Sequence, residues 1–157
     1  RATSSPIRAV ERQRQASPSR PSPLPMLRSA ECACGRAKIA VRGTPSLYGV
    51  CHCTNCKRRT GSAFGISSYF KKSDVESTEG ELSVYSFHHA VQNHDQARHF
   101  CSNCGTTLFW YVSALPELIG ISAGCFGEDP PGEPDVSVTH AKCYPWVGLP
   151  DSWRKVP

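Results

Sequence analysis

Seven of the nine cysteines in this 157-residue chain fall in three tight clusters, which constrain its fold more than any other feature. Cys32 and Cys34 form C-x-C, followed by Gly35; Cys51, Cys53 and Cys56 form C-H-C-T-N-C; Cys101 and Cys104 form C-S-N-C-G. Two chemistries use cysteine this densely: disulfides in an oxidising compartment, and metal thiolates in a reducing one. Cysteines two or three residues apart rarely bridge each other, because the closed loop is too small and strained. No apolar signal-peptide core precedes them. The clusters therefore read as metal ligands in a reducing, cytoplasmic setting. In C-S-N-C-G, Gly105 supplies the positive φ needed for a turn beneath a metal.

Counting ligands suggests a partition. A closed structural zinc takes four protein ligands, and a reactive zinc takes three and keeps one position open. Two pairs and one trio thus make one closed site and one open site. The closed site would tie the start of the domain to a knuckle some 70 residues later, and closing so long a loop makes a structural zinc stabilising. In an extended segment Cys51 and Cys53 point to one face and His52 to the other, so His52 is a poor fourth ligand. The competing arrangement is an ordinary zinc ribbon, in which Cys51 is merely buried and Cys53 and Cys56 pair with Cys101 and Cys104.

Charge separates a tail from a domain. Residues 1–30 carry six arginines against one acid, Glu11, whereas residues 31–157 carry twelve basic and twelve acidic side chains. The net +5 therefore belongs to the tail, and nucleic-acid binding by the domain has little electrostatic support. Residues 1–25 hold five prolines and almost no periodic apolar pattern, so they cannot offset their ordering entropy. The expected division is a tail over 1–27, disordered or of upstream or expression-derived origin with Met26 near the natural start, and a zinc-binding domain over 28–157. An Arg- and Ser-rich organellar transit peptide is the alternative reading of the tail. No apolar run approaches the roughly 18 residues of a membrane span.

From residue 31 the signals are short strands: Lys38–Arg42, Ser46–Val50, Phe64–Phe70, Leu82–Tyr85, Ala97–Phe100, Thr107–Val112 and Leu118–Ala123. Turn-formers separate them, and no window gives a long amphipathic helix. The fold class expected is mainly β.

The motifs resemble those of the glutathione-dependent formaldehyde-activating enzymes and their relatives, including centromere protein V. The matching order is Cys32-Ala33-Cys34-Gly35, Cys51-His52-Cys53-Thr54-Asn55-Cys56-Lys57, Thr60-Gly61-Ser62-Ala63-Phe64, Phe100-Cys101-Ser102-Asn103-Cys104-Gly105-Thr106 and Gly120-Ile121-Ser122-Ala123-Gly124. His140 and Pro145-Trp146 look like the family's C-terminal signature, and the resemblance covers roughly residues 28–150. It implies a β-tent of stacked antiparallel sheets organised around two zinc sites. Cys32, Cys34, Cys101 and Cys104 would be the structural ligands, and Cys51, Cys53 and Cys56 the catalytic set. The implied activity is that of a carbon–sulfur lyase of the S-(hydroxymethyl)glutathione synthase type. Glutathione, bound as thiolate at the open zinc, attacks a small electrophile such as formaldehyde, with no protein nucleophile. The alternative is a zinc-stabilised protein- or nucleic-acid-binding module without catalysis.

Further residues have readings of their own. Lys57 and Arg58, with Arg59, either guide the carboxylates of glutathione or form a solvated basic turn. Thr60 and Gly61 either offer a hydroxyl and backbone N–H groups to a carboxylate or only punctuate a turn. Many relatives carry Leu-Asp or Phe-Asp after the glycine matching Gly124, where this chain reads Cys125-Phe126-Gly127. Phe126 would then wall the pocket for a bulkier electrophile, or else sit in a plain turn. His88, His89, His94 and His99 read as surface or packing side chains. Cys125 and Cys143 read as small buried hydrophobes, with Cys125 near the active site as the sharper alternative.

Overall fold

The computed structural model of the chain describes residues 26–157, so the predicted tail lies, but for Met26 and Leu27, outside the described residues. Eleven strands and one short helix follow in order: β1 Leu27–Glu31, β2 Lys38–Arg42, β3 Leu47–Cys51, α1 Thr54–Thr60, β4 Gly65–Lys71, β5 Val75–Glu79, β6 Leu82–His89, β7 His94–Cys101, β8 Thr107–Val112, β9 Leu118–Ser122, β10 Val136–Val138 and β11 Arg154–Lys155. Leu27, assigned to the tail from sequence, already pairs with Arg42. No helix among the described residues is long and apolar enough to cross a membrane.

The strands form two sheets. The small one has the order β1-β2-β5, and the large one β11-β10-β3-β4-β9-β8-β7-β6. The small sheet is antiparallel, as is the large one from β3 to β6. The expectation of purely antiparallel sheets is corrected at one edge, where β10 runs parallel to both β3 and β11. Those pairings join segments far apart in sequence, and Val136-Ser137-Val138 is too short to announce itself by alternation.

Alternation explains the core. Ile39 and Val41 of β2 meet Phe70 of β4 and Ile119 and Ile121 of β9 in one buried cluster between the sheets. On the opposite face of the large sheet a transverse row runs in register: Leu47, Tyr69, Gly120, Trp110, Arg98 and Tyr85. Gly120 is required there, because a Cβ would collide with the Trp110 indole. A single cavity of about 210 Å³ is lined from Val136 on β10 to His89 on β6. Those strands are six steps apart, roughly 29 Å in a flat sheet at about 4.8 Å per step. The large sheet must therefore curl around the cavity.

Candidate functional site

β3 ends at Cys51 and α1 begins after Cys53. Cys53 is the N-cap of α1, its sulfur accepting the Cys56 N–H at 3.3 Å. One turn of helix thus returns Cys56 to the first two thiols. All three sulfurs lie within 4.8 Å of one another and line the cavity. Hydrogen bonds from Cys51 and then Cys56 hold the Cys53 thiol far below the ordinary range. The contact with Cys53, with burial, pushes Cys51 up, and the contacts with Cys51 and then Cys53, with burial, push Cys56 up. Such a cluster shares out its protons unless a cation offsets the charge.

His52 turns away, as strand alternation requires. It is fully buried, with ring Nε2 3.1 Å from the Ser137 hydroxyl and its backbone N–H donating to the Val138 carbonyl at 3.0 Å. The ligand loop is thereby fastened to β10.

The other four cysteines meet on the core side of the large sheet, where Cys32 and Cys101 are buried in the cluster between the sheets. Their sulfurs also lie within 4.8 Å of one another, with Cys32–Cys34 at 3.5 Å and Cys34–Cys101 at 3.7 Å. A tetrahedral ion with sulfur at about 2.3 Å spaces its ligands about 3.8 Å apart, so the donor set fits zinc. Each pair sits on a tight turn closed by a left-handed glycine, Gly35 at φ 73° and Gly105 at φ 75°. The Thr106 hydroxyl, 3.2 Å from the Cys104 sulfur, helps to bring that thiol down to about 5. The zinc-ribbon pairing of Cys53 and Cys56 with Cys101 and Cys104 is not what the fold brings together.

Residues 27–142 match the family of glutathione-dependent formaldehyde-activating enzymes. The chain belongs to that family. A Halomonas elongata protein named "Putative glutathione-dependent formaldehyde-activating enzyme" is 27% identical over 114 residues, covering 70% of this chain and 72% of its own. A crystal structure of a Rhodobacter sphaeroides protein shares the fold with a TM-score of 0.52 at 23% identity, over 68% of this chain and 96% of that one.

The remaining sequence candidates do not line the cavity. Lys57 donates to the Lys142 carbonyl at 2.7 Å and lies 3.5 Å over the Tyr144 ring, which ties it to the C-terminal segment. Arg58 is exposed and does not line the cavity. The Thr60 hydroxyl is spent on carbonyls of α1 and Phe64, and Gly61 is the left-handed cap ending α1, at φ 62°. Thr60 borders a separate groove with Cys125 and Ser122. Phe126, read either as a pocket wall or as part of a plain turn, is not a wall: it is 4% exposed and packs on Phe70 in the core, with ring centroids 6.2 Å apart. A 3-10 turn over Ala123–Phe126 carries it inward.

Of the basic run only Arg59, three positions after Cys56 and so on its face of α1, lines the cavity, and it is joined there by residues missed from the sequence: Arg98, Gln96 and Tyr69. Gly65 makes room for the helix: a Cβ there would lie 2.7 Å from the Arg59 guanidinium and 3.3 Å from Cys56 Cβ. His89 and His94, read as surface or packing side chains, also line the cavity. Arg98 could have been suspected as a lone cation alternating with Gln96 and Phe100 along a strand.

Proposed function

We propose that this chain is a zinc-dependent, glutathione-using carbon–sulfur enzyme of the S-(hydroxymethyl)glutathione-forming type. The observation that carries the reading is the three-thiol cluster of Cys51, Cys53 and Cys56 opening on a cavity, in a chain of this family. With His52 turned away, the donor set suits a tetrahedral ion that keeps one position for an outside ligand. Cys32, Cys34, Cys101 and Cys104 suit a closed structural ion. Zinc at the trio would hold an incoming thiol as thiolate and so supply the nucleophile.

The rest falls to the chain. Leu47, Val50, Val112 and Val136 line the cavity with apolar surface and limit water around the reacting atoms. Tyr69 accepts the Trp110 indole N–H at 3.1 Å, leaving its own proton unspent, and burial raises its pKa and keeps the phenol neutral. It can donate to an aldehyde oxygen as the carbon–sulfur bond forms. The thiol's proton leaves to solvent and the oxygen takes one up; in reverse, the same contacts serve cleavage.

The test starts from metal content. Purified protein should carry two zinc ions per chain and consume formaldehyde in the presence of glutathione. Cys53→Ser should lose one zinc and that activity, while Tyr69→Phe should keep both ions and slow turnover on the order of a hundredfold. Undiminished glutathione-dependent turnover in a Cys53→Ser protein lacking one zinc would refute the reading.

A further inference from the structure

Two guanidinium groups reach the cavity, and neither has an acidic partner among the described residues. Arg98 is 8% exposed, its Nε donating to Gln96 Oε1 at 3.0 Å and its guanidinium lying 4.7 Å over the Phe87 ring. Arg59 donates from Nη1 to the Ser122 hydroxyl at 3.1 Å and lies 4.5 Å over the Trp110 ring, and its Nη2 is buried without a hydrogen-bond partner. The ion pairs among the described residues use Arg28, Lys38, Arg42, His88 and Lys155 instead. No aspartate or glutamate among the described residues lines the cavity. Burial, and then the charge of Arg59, hold the Arg98 pKa below its ordinary value, so two like charges share a poorly solvated space.

The nearby Cys56 and Cys53 act in the opposite direction on Arg98, but a buried and a half-buried guanidinium without a carboxylate partner remain costly and suit a ligand that completes them. Among the described residues neither arginine donates to a sulfur of the trio, so direct bonding to the thiolates does not account for the pair. The planar fork of a guanidinium matches a carboxylate through two parallel hydrogen bonds. We propose that Arg59 and Arg98 form a carboxylate-binding subsite in the wall of the cavity that holds the three-cysteine site.

The subsite deepens the function proposed above and rests on it for the identity of the ligand. Its carboxylate has two possible sources: the glutathione peptide, or an electrophile that is itself a short oxo acid. The experiment measures binding rather than turnover. Zinc-loaded full chain is titrated calorimetrically with S-methylglutathione, which keeps the carboxylates but has no free thiol, and with its diethyl ester. A second pair of probes is glyoxylate and the neutral aldehyde glycolaldehyde.

At least one carboxylate probe should bind, and Arg98→Gln should weaken it about tenfold to a hundredfold, the loss of one charge-assisted contact. Arg98→Lys should restore part of the affinity, and the neutral counterpart should not respond. Loss confined to S-methylglutathione places the carboxylate on the thiol partner; loss confined to glyoxylate places it on the electrophile. Should Arg98→Gln not fold, the half-buried Arg59→Gln decides in the same way. The proposal is overturned if no carboxylate probe binds the wild type, if charged and neutral probes weaken equally, or if affinity falls only with loss of zinc. Charge-selective binding in a protein without glutathione-dependent turnover would refute the function above and leave this subsite standing.

Discussion

Lys57, Arg58 and Arg59 are neighbours in sequence, yet each meets a different environment. Successive residues on a helix point about 100° apart, so only Arg59 shares the face of Cys56, while Lys57 stacks on Tyr144 and Arg58 faces solvent. The same one-position sensitivity governs the segment after β9. Cys125 is half-buried at a groove, with burial pushing its thiol up to about 11, whereas Phe126 is in the core. Phe126→Ala should therefore act as a core truncation, lowering stability by about 3–5 kcal/mol with KM for the electrophile unchanged at temperatures where the variant is folded. Chemical denaturation and steady-state kinetics check the two halves. A changed KM with wild-type stability would return Phe126 to the pocket.

At the scale of elements, the two cysteine groups have unequal structural roles. The trio lies within six positions of chain, and its backbone is also held by α1 and by the His52–Ser137 contact. The group of four joins the turn between β1 and β2 to the knuckle between β7 and β8, and so clasps the small sheet to the large one. Structural zinc can supply on the order of 10 kcal/mol of apparent binding energy, comparable with a whole domain's stability. Cys104→Ser should thus lower the melting temperature drastically or prevent soluble expression, while Cys53→Ser should melt near wild type. Melting curves paired with zinc analysis decide, and a Cys104→Ser protein of normal stability would contradict the assignment. The strands that flank these sites were legible from alternation, with Lys38–Arg42 and Thr107–Val112 matching to the residue. α1 was not, since seven residues with no buried side chain carry no amphipathic signal. The trio was legible because its spacing and strand geometry are local. The joining of Cys32 and Cys34 to Cys101 and Cys104 spans at least 67 positions and stays open against a ribbon until the family resemblance implies it. Arg98 and the pocket histidines were not legible, because they reach the cavity only through the curl of a sheet whose order is set by long-range pairing.

The whole molecule couples its stability to pH through histidines that the fold keeps neutral. Burial lowers the pKa of His99, stacked 4.5 Å from Phe109; burial and then His89 lower that of His94. The unfolded chain takes up these protons near the ordinary 6.5, the folded chain only at lower pH. The unfolded state therefore binds more protons in that window, and stability falls as pH drops below about 6.5. In zinc-saturated buffer His99→Phe should show a shallower decline between pH 7 and pH 5, by up to about 1.4 kcal/mol per pH unit. Denaturant titrations across that range measure it, and parallel slopes would remove His99 from the account. The 3.7 Å approach of Cys34 and Cys101 spans 67 positions of chain, which has a consequence during biosynthesis. A growing chain displays Cys32 and Cys34 beside Cys51, Cys53 and Cys56 long before their own partners have been made. Five thiols then compete for metal while the correct four-sulfur set does not yet exist. Translation arrested before Cys101 emerges should leave Cys34 open to alkylation even with zinc present, and arrest after Cys104 has emerged should protect it. The ribosome's schedule, as well as ligand affinity, then governs which pair of thiols captures the first ion.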